Sequence, residues 1–291
     1  MSADPDETDA RRAQARGSRI GPDLWPRVAA AVVMGLVALA VAWIGGIVFV
    51  AFWWIASVVV LWEWQRIVEA DRLFVRVSVG ALLLAAAALL ALHNRPLFAV
   101  LALAATAAAV GFVAAPERRV WTAAGALYAG ALVVSLGLLQ ASPSYGLAAI
   151  LWLFAIVWGA DVAAYFAGRG IGGPKLWPSV SPGKTWSGAL AGALVGAALG
   201  LVVGLVLAPG AIRIGPMFAL GLAAAIVSEL GDLFESGVKR RFGVKDSSRL
   251  IPGHGGLMDR LDAFIAASTF AALVAAANSR GSFIASGLFQ W

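Results

Sequence analysis

The chain has 291 residues, 61% of them hydrophobic and 13% charged, with a formal net charge of +6 and a mean hydropathy of +0.86. That composition lies outside the range of soluble globular domains and belongs in a bilayer. The absence of cysteine excludes disulfides and thiolate metal sites, and two histidines, His93 and His254, exclude a multi-histidine zinc centre. Any metal must therefore sit on oxygen or histidine, with the carboxylates as the natural ligands, and a hard cation such as magnesium would fit. In a membrane protein the positive balance reports topology first, ahead of nucleic acid, anionic lipid or a phosphate-rich substrate.

Residues 1–22 are polar, rich in Asp and Arg and aperiodic, which predicts a disordered cytosolic tail and no cleaved signal peptide. Residues 28–62 carry no charge, too long a run for one span of about 20 residues, so two spans are expected with Gly45 and Gly46 at the turn between them. Further apolar runs cover 77–92, 97–115, 120–140, 147–168, 188–207, 216–235 and 263–277. They are apolar on every face, which predicts helices and not a barrel. The fold class expected is an all-α polytopic membrane protein of about nine transmembrane helices with cytosolic catalytic loops. About five helices fall in residues 23–146, and about four, with two long loops, in a catalytic region over 147–291. When the loops alternate sides, every Lys and Arg except Arg95, Arg213 and Arg280 falls on one side. The positive-inside rule then predicts a cytosolic amino terminus and a carboxyl terminus outside. Trp25, Trp43, Trp62, Trp64, Trp121, Trp177 and Trp186 fall near span ends, where they read as interfacial anchors. Abundant Gly and Ala permit close helix packing. No internal repeat is visible.

Chemistry concentrates in the two long polar segments, 168–187 and 232–262, and in the helices leading into them. An ionised carboxylate in a span costs roughly 2.5–3.5 kcal/mol on insertion scales, so such acids pair, line cavities or hold cations. Asp161 is of this kind. Glu229, Asp232 and Glu235 repeat at three-residue steps and are expected along one helical face; Asp259 and Asp262, also three apart, begin the last helix. Converging, these faces would make an oxygen-only pocket for one or two hard cations. Individually, acids at a helix N-terminus also serve the macrodipole. Lys239, Arg240, Arg241, Lys245, Arg249 and Arg260, with the PGHGG stretch at 252–256, read as a basic loop beside the acids. Cations next to metal-binding carboxylates are what phosphoryl or nucleotidyl transfer needs. In the earlier segment, SPGKT at 181–185 has the wrong spacing and the wrong preceding element for a P-loop. Ser181, Lys184 and Thr185 with the following helix N-terminus still read as an anion site.

The run SGVKRRFGVKDSSRLIPGHGGLMDRLD at 236–262, the preceding GDLFES, and the upstream DVAAYFAGR and SPGKTW resemble the signature of the phosphatidate cytidylyltransferase family. The resemblance covers the C-terminal half strongly and the N-terminal half in hydropathy alone. It implies a bacterial inner-membrane enzyme that joins CTP to phosphatidic acid, with magnesium and room for a second cation, no nucleic-acid partner, and a homodimer. It also implies catalytic roles for Asp232, Asp259, Lys239, Arg240, His254 and Arg260, and substrate binding at Ser181, Lys184, Thr185, Lys245 and Asp246. Asp232 and Asp259 match metal-ligand aspartates, and Asp161 and Asp262 are expected to join them as ligands or partners. Two positions depart from the pattern: Gly183 stands where many members have a basic residue and Ser187 where many have an acidic one. The rival readings are a CTP-dependent polyprenol or phytol kinase and a cation-coupled transporter using Asp161 and Glu229. The length of the signature disfavours the first, and the lack of paired repeats the second.

Overall fold

The computed structural model describes residues 24–251, 255–281 and 283–290, with side chains from Val32 onward. The tail at 1–22, the side chain of Trp25, and His254 lie outside the described residues. The chain divides into two units, Met1–Leu39 and Ala40–Trp291. Helix α1 (Leu24–Ile44) is the described part of the first and runs into the second. In the second unit follow α2 (Gly46–Val68), α3 (Leu73–Leu92), α4 (Pro96–Val113), α5 (Arg119–Gln140) and α6 (Gly146–Gly170). A hairpin of β1 (Lys175–Trp177) and β2 (Ser181–Thr185) leads into α7 (Trp186–Leu207), α8 (Ile214–Arg241), α9 (Met258–Asn278) and a short α10 (Ser286–Phe289).

Among the described residues, eight helical segments are long and apolar enough to cross a membrane, and Val32–Ile44 of α1 is a shorter apolar stretch. The protein is an all-α polytopic membrane protein. Gly45 and Gly46 both take positive φ, +66° and +54°, so the turn expected there is made by the residue type that adopts it without strain.

Two features of the bundle position the site. The first is a glycine row on α7. A Cβ at Gly188, Gly192 or Gly196 would come within 2.9 Å of the backbone oxygens of Ala164, Ala160 and Ile156 on α6. Small residues four apart let the two backbones touch, as close helix pairs in membranes do. The second is an aromatic joint in which Trp53 of α2, Phe154 of α6 and Phe264 of α9 lie with ring centroids 5.2–6.4 Å apart. The Ser135 hydroxyl of α5 also donates to that of Ser268 on α9, at 3.1 Å.

Several expectations change here. Trp64 is no interfacial anchor: it is 1% exposed, its indole N–H donates to the Trp121 carbonyl at 2.8 Å, and its ring fills the space that a Cβ at Gly125 would need. Arg76, counted among loop cations, is fully buried, held by Gln65 Oε1 at 3.2 Å and Glu69 Oε2 at 2.9 Å. The basic loop is shorter than expected, because Lys239, Arg240 and Arg241 form the last turn of α8 and Arg260 lies in the first turn of α9. Cations in a last turn complement the helix dipole, so α8 continues past its apolar stretch. The segment at 168–187 is an ordered hairpin and not a plain loop, with Lys175 paired to Thr185 and Trp177 to Ser181.

Candidate active site

The hairpin is fixed to α7 at three points. Thr185 is the N-cap, its hydroxyl oxygen accepting from the Gly188 N–H at 3.2 Å; the Trp186 N–H donates to the Pro174 carbonyl at 3.0 Å; and the Ser187 hydroxyl donates to the Gly172 carbonyl. Thr185 therefore caps the helix N-terminus that was read together with it as an anion site. Beside it a cavity of about 480 Å³ is lined by Asp161, Tyr165, Arg169, Lys175, Gly183, Lys184, Thr185, Glu229 and Asp232 among others. Ligand sites commonly span about 300–1,000 Å³. A side chain at Gly183 would meet open space, so the position that departs from the family pattern is one where a basic group would reach into this cavity.

The acids sort into two clusters, each centred on a lysine. Lys184 Nζ lies 2.5 Å from Glu229 Oε2 and 2.8 Å from Asp232 Oδ2. Lys239 Nζ lies 2.8 Å from Glu235 Oε2 and 2.7 Å from Asp259 Oδ1. Glu229, Asp232 and Glu235 thus do not share one face. A three-residue step falls about 60° short of a full turn at 3.6 residues per turn, so two steps carry Glu235 about 120° round from Glu229. Asp161 lies within electrostatic reach of Glu229, Lys184, Asp232 and Arg260. Asp262, 9% exposed, lies within electrostatic reach of Asp232, Asp161 and Lys239.

Lys184 is the ionisable member outside the spans. Burial opposes its charge, but Asp232 and Glu229 outweigh burial and raise its pKa above the usual 10.5. It is a fixed cation at neutral pH.

Asp259 holds the segment before α9. Its carboxylate accepts from the Ser247 N–H at 3.1 Å and the Gly256 N–H at 2.8 Å, besides the Lys239 ammonium. Arg240 is exposed, with its guanidinium 3.4 Å from the Val244 carbonyl; Lys245, Asp246 and Arg260 are exposed as well. Ser181 is half-buried in β2. The structure therefore brings together Asp161, Lys184, Thr185, Glu229 and Asp232 around the cavity, and Lys239, Glu235 and Asp259 beside it. Arg260, exposed at the start of α9, stands within electrostatic reach of Asp161.

A hard cation fits the chemistry of these donors. They are oxygen-only, and the Lys184 ammonium lies where two carboxylates share one positive charge. Among the described residues, no three His, Asp or Glu side chains already stand at metal-holding spacing. Of the acids, Asp161, Glu229 and Asp232 line the cavity.

The sequence reading missed Glu63. It is fully buried near the end of α2 and accepts from the Ser248 hydroxyl at 2.6 Å and the backbone N–H groups of Leu257 and Met258 at 2.9 and 2.6 Å. The available signal was an acid embedded in WEWQR at 62–66, directly after a charge-free run.

Residues 25–277 match the cytidylyltransferase family. Among curated relatives, the phosphatidate cytidylyltransferase of Brucella suis biovar 1 is 43% identical over 248 residues, 84% of this chain and 91% of that protein. Its namesake in Pseudomonas aeruginosa is 42% identical over 235 residues, 75% and 84% of the two chains. That of Haemophilus influenzae is 46% identical over 145 residues, 49% and 50%. With a match over most of its length, the chain belongs to the cytidylyltransferase family.

Proposed function

We propose that this protein is a phosphatidate cytidylyltransferase, converting CTP and phosphatidic acid to CDP-diacylglycerol and diphosphate. The observation that carries the reading is the cavity at the hairpin, where Asp161, Glu229 and Asp232 face Lys175, Lys184 and Arg169. A triphosphate needs that mixture. The names of the relatives support the lipid acceptor and disfavour both a kinase and a transporter.

In the reaction a phosphate oxygen of phosphatidic acid attacks the α-phosphorus of CTP, a new P–O bond forms, and the bond from the α-phosphorus to the bridging oxygen breaks to release diphosphate. The second pKa of a phosphate monoester is about 6, so the nucleophile is already ionised at neutral pH and needs no strong base. The protein's task is positioning and charge neutralisation. Lys184, Lys175 and Arg169 hold phosphate oxygens at the hairpin, and Arg240, Lys245 and Arg260 add charge from the exposed side. Lys239, enclosed between Glu235 and Asp259, orders the second cluster. Asp232 and Asp161, with Asp259 and Asp262, would hold a bound magnesium ion, and that ion would supply charge that offsets the triphosphate. We also propose the inner membrane as location, with the amino terminus in the cytosol and the carboxyl terminus outside, on the strength of the Lys and Arg partition. Homodimer formation rests on family resemblance.

The test is chromatography of lipid products after incubating purified protein with phosphatidic acid, labelled CTP and magnesium, beside Asp232→Asn and Asp259→Asn. Label is expected in a CDP-lipid with wild type, and a fall of about 100-fold or more with each variant, the range seen when a preorganised charge is removed. No magnesium-dependent lipid label from wild type sinks the reading.

A further inference from the structure

The segment between α8 and α9 carries Lys245, Asp246 and the half of the signature that precedes Asp259. Outside its own contacts, what fixes it is a residue far away in the chain. α9 has no side-chain cap of its own: its N-cap is Leu257, whose side chain cannot accept a hydrogen bond. The first N–H groups of a helix nonetheless need acceptors. Glu63 supplies them from α2. Its Oε1 accepts from the Leu257 N–H and its Oε2 from the Met258 N–H, while Oε1 also takes the Ser248 hydroxyl. The carboxylate thus ties Ser248, within the segment, to the helix N-terminus at its finish. The fit is close: a Cβ at Gly256 would fall 2.4 Å from Glu63 Oε1 and 1.9 Å from Ser247 Oγ. Both Glu63 and Ser248 are buried, and a buried carboxylate accepting several N–H bonds is a strong, charge-assisted anchor.

We infer that Glu63 is a positioning residue of the active site: it clamps the N-terminus of α9 to Ser248, and so sets where Asp259, Arg260 and Asp262 stand relative to the α8 acids. The inference rests on the cytidylyltransferase reading for its catalytic consequence, but not for the clamp itself. Glu63 touches neither the cavity nor Lys184 and Lys239, so it acts through the helix end. The charge matters as well as the shape. Gln at this position has nearly the same volume, but its amide nitrogen cannot accept, so either the Met258 N–H or the pair at Leu257 and Ser248 loses its partner.

Two readouts on the full-length protein in detergent test it, with Glu63→Gln as the main variant and Ser248→Ala as a second that leaves the charge in place. The first is amide hydrogen exchange, which needs no turnover. Glu63→Gln is expected to speed exchange at Leu257 and Met258 by about tenfold or more while the middle of α5 keeps its protection. The second is steady-state kinetics, with kcat expected to fall about 10- to 100-fold, as for residues that orient catalytic ligands, and KM for CTP to change little. Ser248→Ala is expected to move both in the same direction by less. Unchanged exchange at Leu257 and Met258 overturns the clamp. Faster exchange with wild-type kcat overturns the positioning role, and so does a loss of activity that only follows the loss of folded protein. If Glu63→Gln does not fold, wild-type exchange and kcat in Ser248→Ala overturn the inference. If the wild type makes no CDP-lipid, the cytidylyltransferase reading fails while the exchange comparison still decides the clamp.

Discussion

Lys184 carries the most direct link between charge and site. It neutralises Glu229 and Asp232 together, and without it two carboxylates would face each other across the cavity wall. Because its pKa is raised above 10.5, the folded state gains from its protonation. That gain is complete below 10.5 and is lost as pH climbs through the raised value. Thermal unfolding of wild type and Lys184→Met in detergent should therefore differ by a constant offset through neutral pH, with the gap closing only above 10.5. A gap that closes near neutrality would assign the stabilisation to another group. The identity of the site acids was legible in the sequence because acids at span depth are rare. Their partners were not, since a three-residue spacing says nothing of which lysine, 45 residues away for Glu229 and 20 for Asp259, will reach each one.

At the scale of elements, the contact of α6 with α7 determines where the hairpin sits over the acids. The glycine row makes that contact possible, and an added side chain would strike backbone, which cannot turn aside. Gly196→Leu should destabilise the protein by about 1–3 kcal/mol, the usual range for overpacking, read as a lower thermal midpoint and reduced activity. Gly215→Ala is the control, because nothing lies within 4 Å of a Cβ added there. An unshifted midpoint in Gly196→Leu would mean that the two helices have slack. Helix existence and most boundaries were readable from hydropathy, since an apolar run in lipid has one way to satisfy its backbone. The continuation of α8 to Arg241 was not, because basic residues read as a loop until the helix dipole is considered. Nor was the hairpin, whose ties run through backbone and hydroxyl groups that leave no periodic trace.

At the scale of the whole molecule, the proposed orientation rests on the asymmetry of Lys and Arg. The natural chain has no cysteine, so single introduced thiols report without a background. Ser179→Cys, exposed in the hairpin, should react with a membrane-impermeant maleimide only after cells are permeabilised. Ala211→Cys, in the connection between α7 and α8, should react in intact cells. The reverse pattern would invert the topology. The polytopic class was legible from composition alone, but the tie from Glu63 to the C-terminal signature was not: in the N-terminal half the sequence reading found hydropathy alone, although the family match begins at residue 25.

The bond between Glu63 and α9 spans 194 and 195 positions of chain, and during synthesis those positions have an order. α2 leaves the ribosome long before Leu257 and Met258 exist, so its carboxylate enters the lipid bilayer with no amide to receive. Glu63 lies near the end of its span, and its partners arrive only with Ser248 and the first residues of the last long helix. The nascent protein thus holds an unfilled socket through most of its translation. Emergence of the first residues of the last long helix is the event that fills it.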